Sequence, residues 1–134
     1  MNTSRLLMAA AALALTGTAA LSADKPTRAE KNEARLAEMI KGRTAGTPVT
    51  CISAFLSNKL QVIEGVALVY DAGDTIYVSK PSHPDTMRGD DILVIERSGG
   101  QLCHTDIVRT IDRSGGFSTG VLFLDKFVPY RKQP

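Results

Sequence analysis

From Val49 onward the chain consists of short apolar runs separated by turn-forming residues. Residues 66–70 and 75–79 flank Asp71-Ala72-Gly73-Asp74, a sequence typical of a hairpin turn in which Gly73 takes a positive φ. About six such runs follow one another closely, with no helical periodicity between them. This pattern predicts a mainly β domain over residues 49–130, a small antiparallel barrel or sandwich of about six strands.

Further strands are predicted over residues 91–96, 102–112 and 120–128. Residues 80–90 and 113–119 are predicted to be loops because they are rich in proline, glycine and polar residues. Where this first loop meets the next strand, the adjacent Asp90 and Asp91 are interpreted as a solvated strand entry. These assignments place most polar side chains of the β domain in its connections.

The segment that precedes the β domain differs from it in composition. Residues 23–41 are rich in Ala, Glu, Lys and Arg, which favour helix. Thr27 and Glu30 form a capping-box pattern, and Gly42 is placed as a stop signal. A narrow apolar stripe consists of Leu36, Met39 and Ile40. We expect residues 23–48 to form a helix, over residues 23–41, and a linker, over residues 43–48. The helix is expected to pack on the domain edge, and a partner-binding helix is the alternative.

The first residues predict an exported protein. Arg5 precedes an apolar run at residues 6–15, and small residues follow up to the expected cleavage after Ser22. The run is too short to cross a bilayer as a helix, which argues against the alternative of a membrane anchor. We therefore predict a signal peptide at residues 1–22, a periplasmic location, and a mature chain without a membrane span.

The charge balance and the motifs exclude several functional classes. Removing the predicted signal peptide, which contains Arg5, leaves 15 of the 16 Lys and Arg residues against 14 Asp and Glu. That balance gives no basic surface for nucleic acid, and the chain has no tryptophan. No G-x-S-x-G, H-E-x-x-H or C-x-x-C motif occurs. We expect a non-enzymatic binding or structural module of the envelope, without a cofactor, whose partner is an envelope protein or a small ligand.

The two cysteines, Cys51 and Cys103, both lie in the part expected to be exported. Two cysteines in an oxidising compartment predict one disulfide. Alternation along the predicted strands places both cysteines on core-facing sides. The residues expected to share those sides are Val49 and Phe55 beside Cys51, and Ile107 and Ile111 beside Cys103. His104 would point away from Cys103, so a thiol–imidazole pair is not expected.

His104 and Asp106 would share a face of the predicted strand. Together with His83 they are the candidates for a small hydrolase or a metal-dependent activity, which is the first alternative function. A metal site needs three or four converging ligands. Asp85, Asp90 and Asp91 could add ligands only if the proline-rich loop folded over this face, so no metal site is predicted.

A short repetition supports a second alternative function. Residues 96–100 (ERSGG) resemble residues 112–116 (DRSGG), and each follows an apolar strand. Arg97 and Arg113 could bind an anion together with the backbone N–H groups of the glycines. The simpler interpretation is two turns, because serine and glycine are common turn residues and neither loop opens a helix.

Several of these segments also resemble a family of small secreted proteins of Gram-negative bacteria that contain a domain of unknown function. The segments are Cys51-Ile52, residues 74–78, Gln101-Leu102-Cys103 with Asp106-Ile107-Val108, and residues 127–130 (FVPY). The resemblance covers about residues 43–131 and implies no catalytic residue. Many members have four cysteines. This chain lacks those expected near His83 and Val121, which implies that Cys51 and Cys103 are a bonded pair; Asp106 is expected to cap a turn.

Overall fold

The structure, a computed structural model, describes residues 24–56, 59–97 and 99–134. The predicted signal peptide lies outside the described residues, as does Ser98. The described chain has one α-helix, α1 (Arg28–Ile40), followed by ten strands. The strands are β1 (Arg43–Ala45), β2 (Cys51–Ser53), β3 (Leu60–Ile63), β4 (Ala67–Asp71), β5 (Thr75–Ser79), β6 (Ile92–Glu96), β7 (Gln101–Cys103), β8 (Ile107–Ile111), β9 (Ser118–Leu122) and β10 (Val128–Lys132).

The ten strands form three antiparallel sheets. The largest sheet has the order β1-β10-β5-β4-β3, the second has the order β6-β8-β9, and the third pairs β2 with β7. The prediction of a mainly β, antiparallel domain preceded by one helix is confirmed, with ten strands instead of about six. No helix in the described part of the chain has the length and apolar character needed to cross a bilayer.

Neighbouring sheets are joined where the chain passes from one to the next. Pro81 forms an isolated bridge with Leu124, and Val49 forms another with Phe127. The segment from β9 to β10 first pairs with β8 and then with β5 and β1. The prediction of a single strand over residues 120–128 is therefore wrong, because the chain changes partners in the middle of that range.

The five-stranded sheet is buried on both faces. In β4, Ala67 and Val69 belong to one buried cluster, whereas Leu68 and Tyr70 belong to another. Because side chains alternate between the two faces of a strand, the uninterrupted apolar run of β4 marks a strand that is covered on both sides. The helix covers one face, and residues of the other two sheets cover the opposite face.

Helix α1 packs on the edge of this sheet near β3. Leu36 is buried in the same cluster as Ile63, and Met39 and Ile40 pack against that cluster. Polar contacts with Glu64 flank this packing. The Arg28 guanidinium lies 2.7 Å from the Glu64 carboxylate, and the Asn32 side-chain amide donates to the Glu64 carbonyl at 2.9 Å. The domain itself therefore uses the apolar stripe of the helix, as the packing prediction requires.

The helix begins and ends at the predicted signals. The Thr27 hydroxyl accepts a hydrogen bond from the Glu30 backbone N–H at 3.2 Å. In return, the Thr27 backbone N–H donates to the Glu30 carboxylate at 2.6 Å, which completes the capping box. After the helix, Gly42 adopts φ 70°, which glycine tolerates without steric cost. Local sequence signals alone therefore fix both ends of α1.

The capping box makes a prediction about pH. Hydrogen bonds from the Thr27 backbone N–H, and then from the Thr27 hydroxyl, hold the pKa of Glu30 below its ordinary value. A carboxyl group whose folded-state pKa is lowered stabilises the fold above its unfolded pKa, and loses that contribution as the pH falls through the folded pKa. We expect the first turn of α1 to fray below the ordinary glutamate range, as measured by NMR titration of Glu30.

Substitution of the capping residue supplies the control for this titration. Thr27→Ala removes the hydroxyl donor and weakens the cap. The pKa of Glu30 should therefore move back toward the ordinary glutamate value in this variant. A parent protein in which the Glu30 pKa is ordinary or raised would contradict the prediction.

The segment predicted to be a linker, residues 43–48, begins with a strand instead. β1 pairs antiparallel with β10, with Arg43 opposite Lys132 and Ala45 opposite Tyr130. The Gly46 N–H extends the pairing by donating to the Pro129 carbonyl at 2.7 Å. The sequence Arg-Thr-Ala has no apolar alternation, so only its partner strand identifies it as a strand.

Candidate functional site

The predicted disulfide is present. Cys51 on β2 lies directly opposite Cys103 on β7, with 4.0 Å between their Cα atoms, and the two sulfurs are bonded. The expected core-facing orientation of the cysteines is wrong, since Ile52 and Leu102 are the buried residues of this strand pair. Phe55 and Ile107, expected to face the core with the cysteines, are exposed. The bond removes both thiols from any nucleophilic role.

A tight turn interrupts the strand predicted over residues 102–112. β7 ends at Cys103, the next three residues form a turn, and β8 begins at Ile107. The Asp106 carboxylate accepts a hydrogen bond from the Cys103 backbone N–H at 2.7 Å, and the Asp106 N–H donates to the Cys103 carbonyl at 3.0 Å. Asp106 thus holds the turn together, as carboxylates often do.

His104 and Asp106 therefore do not share the face of a strand. Both side chains are partly buried in the turn, and the Asp106 carboxylate accepts its hydrogen bond from the Cys103 backbone N–H. His83 is exposed beside the 3₁₀ turn at Pro84–Thr86. Among the described residues, no three His, Cys, Asp or Glu side chains form a group that could hold a metal ion. At this turn, the Asp106 carboxylate is therefore engaged by the backbone N–H of Cys103.

The two arginines of the repeated loops lie apart. Arg97 follows the end of β6, whereas Arg113 follows the end of β8, the strand antiparallel to β6. Opposite ends of a five-residue ladder are about 15 Å apart. Each guanidinium donates to a backbone carbonyl, Arg97 to that of Ala54 and Arg113 to that of Asp90. The two side chains therefore do not converge on one anion.

In the loop that follows β8, the carboxylate of Asp112 takes the place that an external anion would have. The Asp112 carboxylate accepts hydrogen bonds from the backbone N–H of Ser114 at 2.9 Å and from that of Gly115 at 2.6 Å. The Gly116 N–H donates to the Asp112 carbonyl at 2.9 Å, and Gly116 adopts φ 69°. These are the donors that an external anion would need. The turn interpretation accounts for them without a ligand.

An apolar cleft lies between β3 and β6, and we call it the seam. Each of these strands is the last of its sheet, and in the described residues no backbone hydrogen bond joins them. The side chains that line the seam from both strands are partly buried and apolar. They are Leu60 and Val62 on β3, and Leu93 and Ile95 on β6. Two free strand edges therefore border one apolar cleft.

The seam consists of two adjoining hollows. One has a volume of about 220 Å³ and reaches the buried side chains of Tyr70 and Leu102, with Arg97 at its rim. The other has a volume of about 320 Å³ and includes Asp91 and Arg113. Leu60, Leu93 and Ile95 line both hollows, so the two hollows share one surface between β3 and β6.

Asp91 is buried, which corrects its interpretation as a solvated strand entry. Its Oδ2 accepts a hydrogen bond from the Thr119 hydroxyl at 2.7 Å, and that hydroxyl lies 2.8 Å from the Thr110 hydroxyl. Its Oδ1 is buried without a protein partner. A buried oxygen in this state normally meets ordered water or a ligand. The sequence gives no signal that separates Asp91 from its exposed neighbour Asp90.

Comparisons with protein-family models, with curated proteins and with solved structures found no match for this chain. The resemblance to small secreted proteins of Gram-negative bacteria therefore stays a prediction. Function has to be inferred from the seam and from the surfaces around it.

Proposed function

We propose that this chain is an exported, non-enzymatic binding module of the cell envelope. Its binding site is the seam, and its ligand is an extended apolar segment of a partner protein. The observation that carries this proposal is the pair of free strand edges, β3 and β6, that border one apolar cleft. The Cys51–Cys103 disulfide supports export, because such bonds persist in oxidising compartments.

Strand addition is the binding mode that suits two such edges. An edge strand presents a row of N–H and C=O groups that can pair with another chain. In the seam, one added segment can pair with β3 on one side and with β6 on the other. The bound segment would then join the five-stranded and three-stranded sheets across the seam.

The dimensions of the seam favour a peptide over a compact small molecule. The two hollows of the seam have about 220 and 320 Å³, so both lie below or at the low end of the roughly 300–1,000 Å³ usual for small-molecule pockets. The seam instead runs along β6 from Asp91 to Arg97, which is about 20 Å of extended chain. A segment of about six residues matches that length, and its alternate apolar side chains would pack against Leu93 and Ile95.

The two ends of the seam provide polar groups that a peptide backbone can use. Asp91 has a carboxylate oxygen without a partner, and the N–H groups of an added strand are donors of the kind it lacks. At the other end, the Arg97 guanidinium holds the Ala54 carbonyl through one nitrogen, and its remaining N–H groups can donate to peptide carbonyls. A wholly apolar ligand would use neither group.

We expect the protein to bind a terminally blocked, fluorescein-labelled peptide of about six residues in which valine and threonine alternate. Fluorescence anisotropy measures the affinity. Ile95→Lys places a charge in the seam and should weaken binding at least about tenfold, which corresponds to 1.4 kcal/mol. The matched control is Val94→Lys on the same strand, because Val94 points to the opposite, exposed face and its replacement should leave binding unchanged.

A second probe tests the backbone pairing without changing the protein. The same peptide with alternate N-methylated residues keeps its side chains but loses the N–H groups on one edge. We expect its binding to be lost, because strand addition depends on those donors. Equal binding of the two peptides would refute strand addition, and so would unaltered binding by the Ile95→Lys variant.

A further inference from the structure

Five large apolar side chains are exposed together on the outer face of the β6-β8-β9 sheet. They are Ile92 and Val94 on β6, Ile107 on β8, Val121 on β9, and Phe123 just beyond it, and their exposed fractions run from 38% to 66%. Val108 and Leu122, which alternate with them, are buried on the inner side of the sheet. This outer face exposes about 400 Å² of apolar surface, and a patch of that size often marks an interaction site.

One ion pair lies within the outer face. Arg109 is centrally placed, with Val94 beside it in register on β6 and Val121 beside it on β9. Its guanidinium lies 3.0 Å from the Glu96 carboxylate, and both side chains are 51% exposed. The face therefore combines an apolar surface with one positive and one negative charge.

We propose that the outer face binds the outer face of a second copy of this chain, forming a two-fold symmetric dimer. A two-fold axis brings the same patch of both copies together, so a patch must complement itself. Here the rotation can place Arg109 of one copy against Glu96 of the other, whereas a face with charges of one sign would repel its own copy. The outer face shares Ile92 with the lining of the seam, but the peptide is proposed to pack against Leu93 and Ile95 on the other side of β6, so this dimer does not depend on peptide binding.

The area of the outer face is sufficient for a reversible dimer. Complete burial of the outer face with Arg109 and Glu96 would cover at most about 600 Å² per copy, or about 1,200 Å² for the pair, which is the lower end for stable specific interfaces. Such a dimer should dissociate on dilution. Sedimentation velocity over a concentration series should therefore show a shift from monomer to dimer between about 1 and 200 µM.

Charge reversal tests the identity of the partner. Arg109→Glu leaves only negative charges in the outer face, and Glu96→Arg leaves only positive ones, so each variant alone should be monomeric. An equimolar mixture of the two variants should form dimers again, because opposite faces then meet. Arg35→Glu, an exposed arginine on α1, is the matched control because the helix packs on the far face of the five-stranded sheet, and it should dimerise like the parent.

A parent that remains monomeric at about 200 µM would overturn the proposal, whatever other partner it then binds. Pelleting of a monomeric parent with anionic phospholipid vesicles would likewise overturn it, by assigning the face to a membrane surface. Two single variants that both still dimerise, or a mixture that stays monomeric, would show that the outer face is not the dimer interface. Circular dichroism of each variant confirms that these surface substitutions leave the fold intact.

Discussion

Replacement of both cysteines, Cys51→Ala with Cys103→Ala, is expected to lower the free energy of unfolding by about 4 kcal/mol. The bond joins residues 52 positions apart, so its removal gives the unfolded chain much more conformational freedom. Small domains have only about 5–15 kcal/mol in total, so the variant should unfold at a far lower urea concentration. Urea titration followed by circular dichroism measures the difference.

The local structure around the bond should respond in the same direction. β2 and β7 share only three residue pairs, and the disulfide links the first of them, Cys51 with Cys103. Without the bond, backbone amides of these strands should exchange hydrogen faster than those of β4 and β5, which form the middle of the largest sheet. An unchanged urea midpoint would contradict the prediction, as would equal stability of the parent protein before and after reduction.

Features that depend on neighbouring residues were predictable from the sequence. The capping box at Thr27, the hairpin turn at Gly73 and the strand at β6 each carry a local signal, and each is present. The disulfide was predictable for a different reason, because two cysteines expected in an oxidising compartment leave one pairing. Its orientation was not, because the side of the strand that carries Ile107 was taken as core-facing, whereas Leu102 and Val108 on the other side are the buried residues.

Features that depend on distant residues were not predictable. β1 is a strand only because β10 lies beside it. Met87 is buried although it lies in a polar, proline-rich loop. The seam is the extreme case, because it exists only where β3 and β6, which lie about thirty residues apart in the sequence, do not pair with each other. No feature of the β3 or β6 sequence indicates that one edge of the strand is unpaired. The burial of the Asp91 carboxylate oxygen likewise depends on how distant segments pack.

The turn at residues 103–106 lies between these two cases. Its sequence, Cys-His-Thr-Asp, has neither glycine nor proline, so an uninterrupted strand was the natural prediction. The turn forms because the Asp106 carboxylate accepts the Cys103 N–H. The aspartate three residues after the cysteine was therefore the available signal, and the expectation that Asp106 caps a turn is confirmed, although the strand around it was predicted to be continuous.

Phe127→Ala is expected to have an effect as large as loss of the disulfide, about 3–5 kcal/mol in the free energy of unfolding. The Phe127 side chain is 1% exposed and lies in the cluster between the large sheet and the other two sheets. Its backbone pairs with Val49 in both directions, at 2.8 and 2.9 Å, so the chain is fixed where the side chain enters the core. Truncation should therefore leave a cavity that the surroundings cannot fill by a shift of the backbone.

Phe117→Ala is the matched control, because it removes the same ring from a side chain that is 60% exposed. We expect it to change the free energy of unfolding by less than about 0.5 kcal/mol. Urea titrations of both variants at a few micromolar protein, where the proposed dimer is dissociated, compare the two directly. If Phe127→Ala and Phe117→Ala were equally mild, the cluster around Phe127 would not be the core that joins the sheets. If only Phe127→Ala lowers the free energy of unfolding strongly, the stability of this core depends on the chain segment between β9 and β10, where the two larger sheets meet.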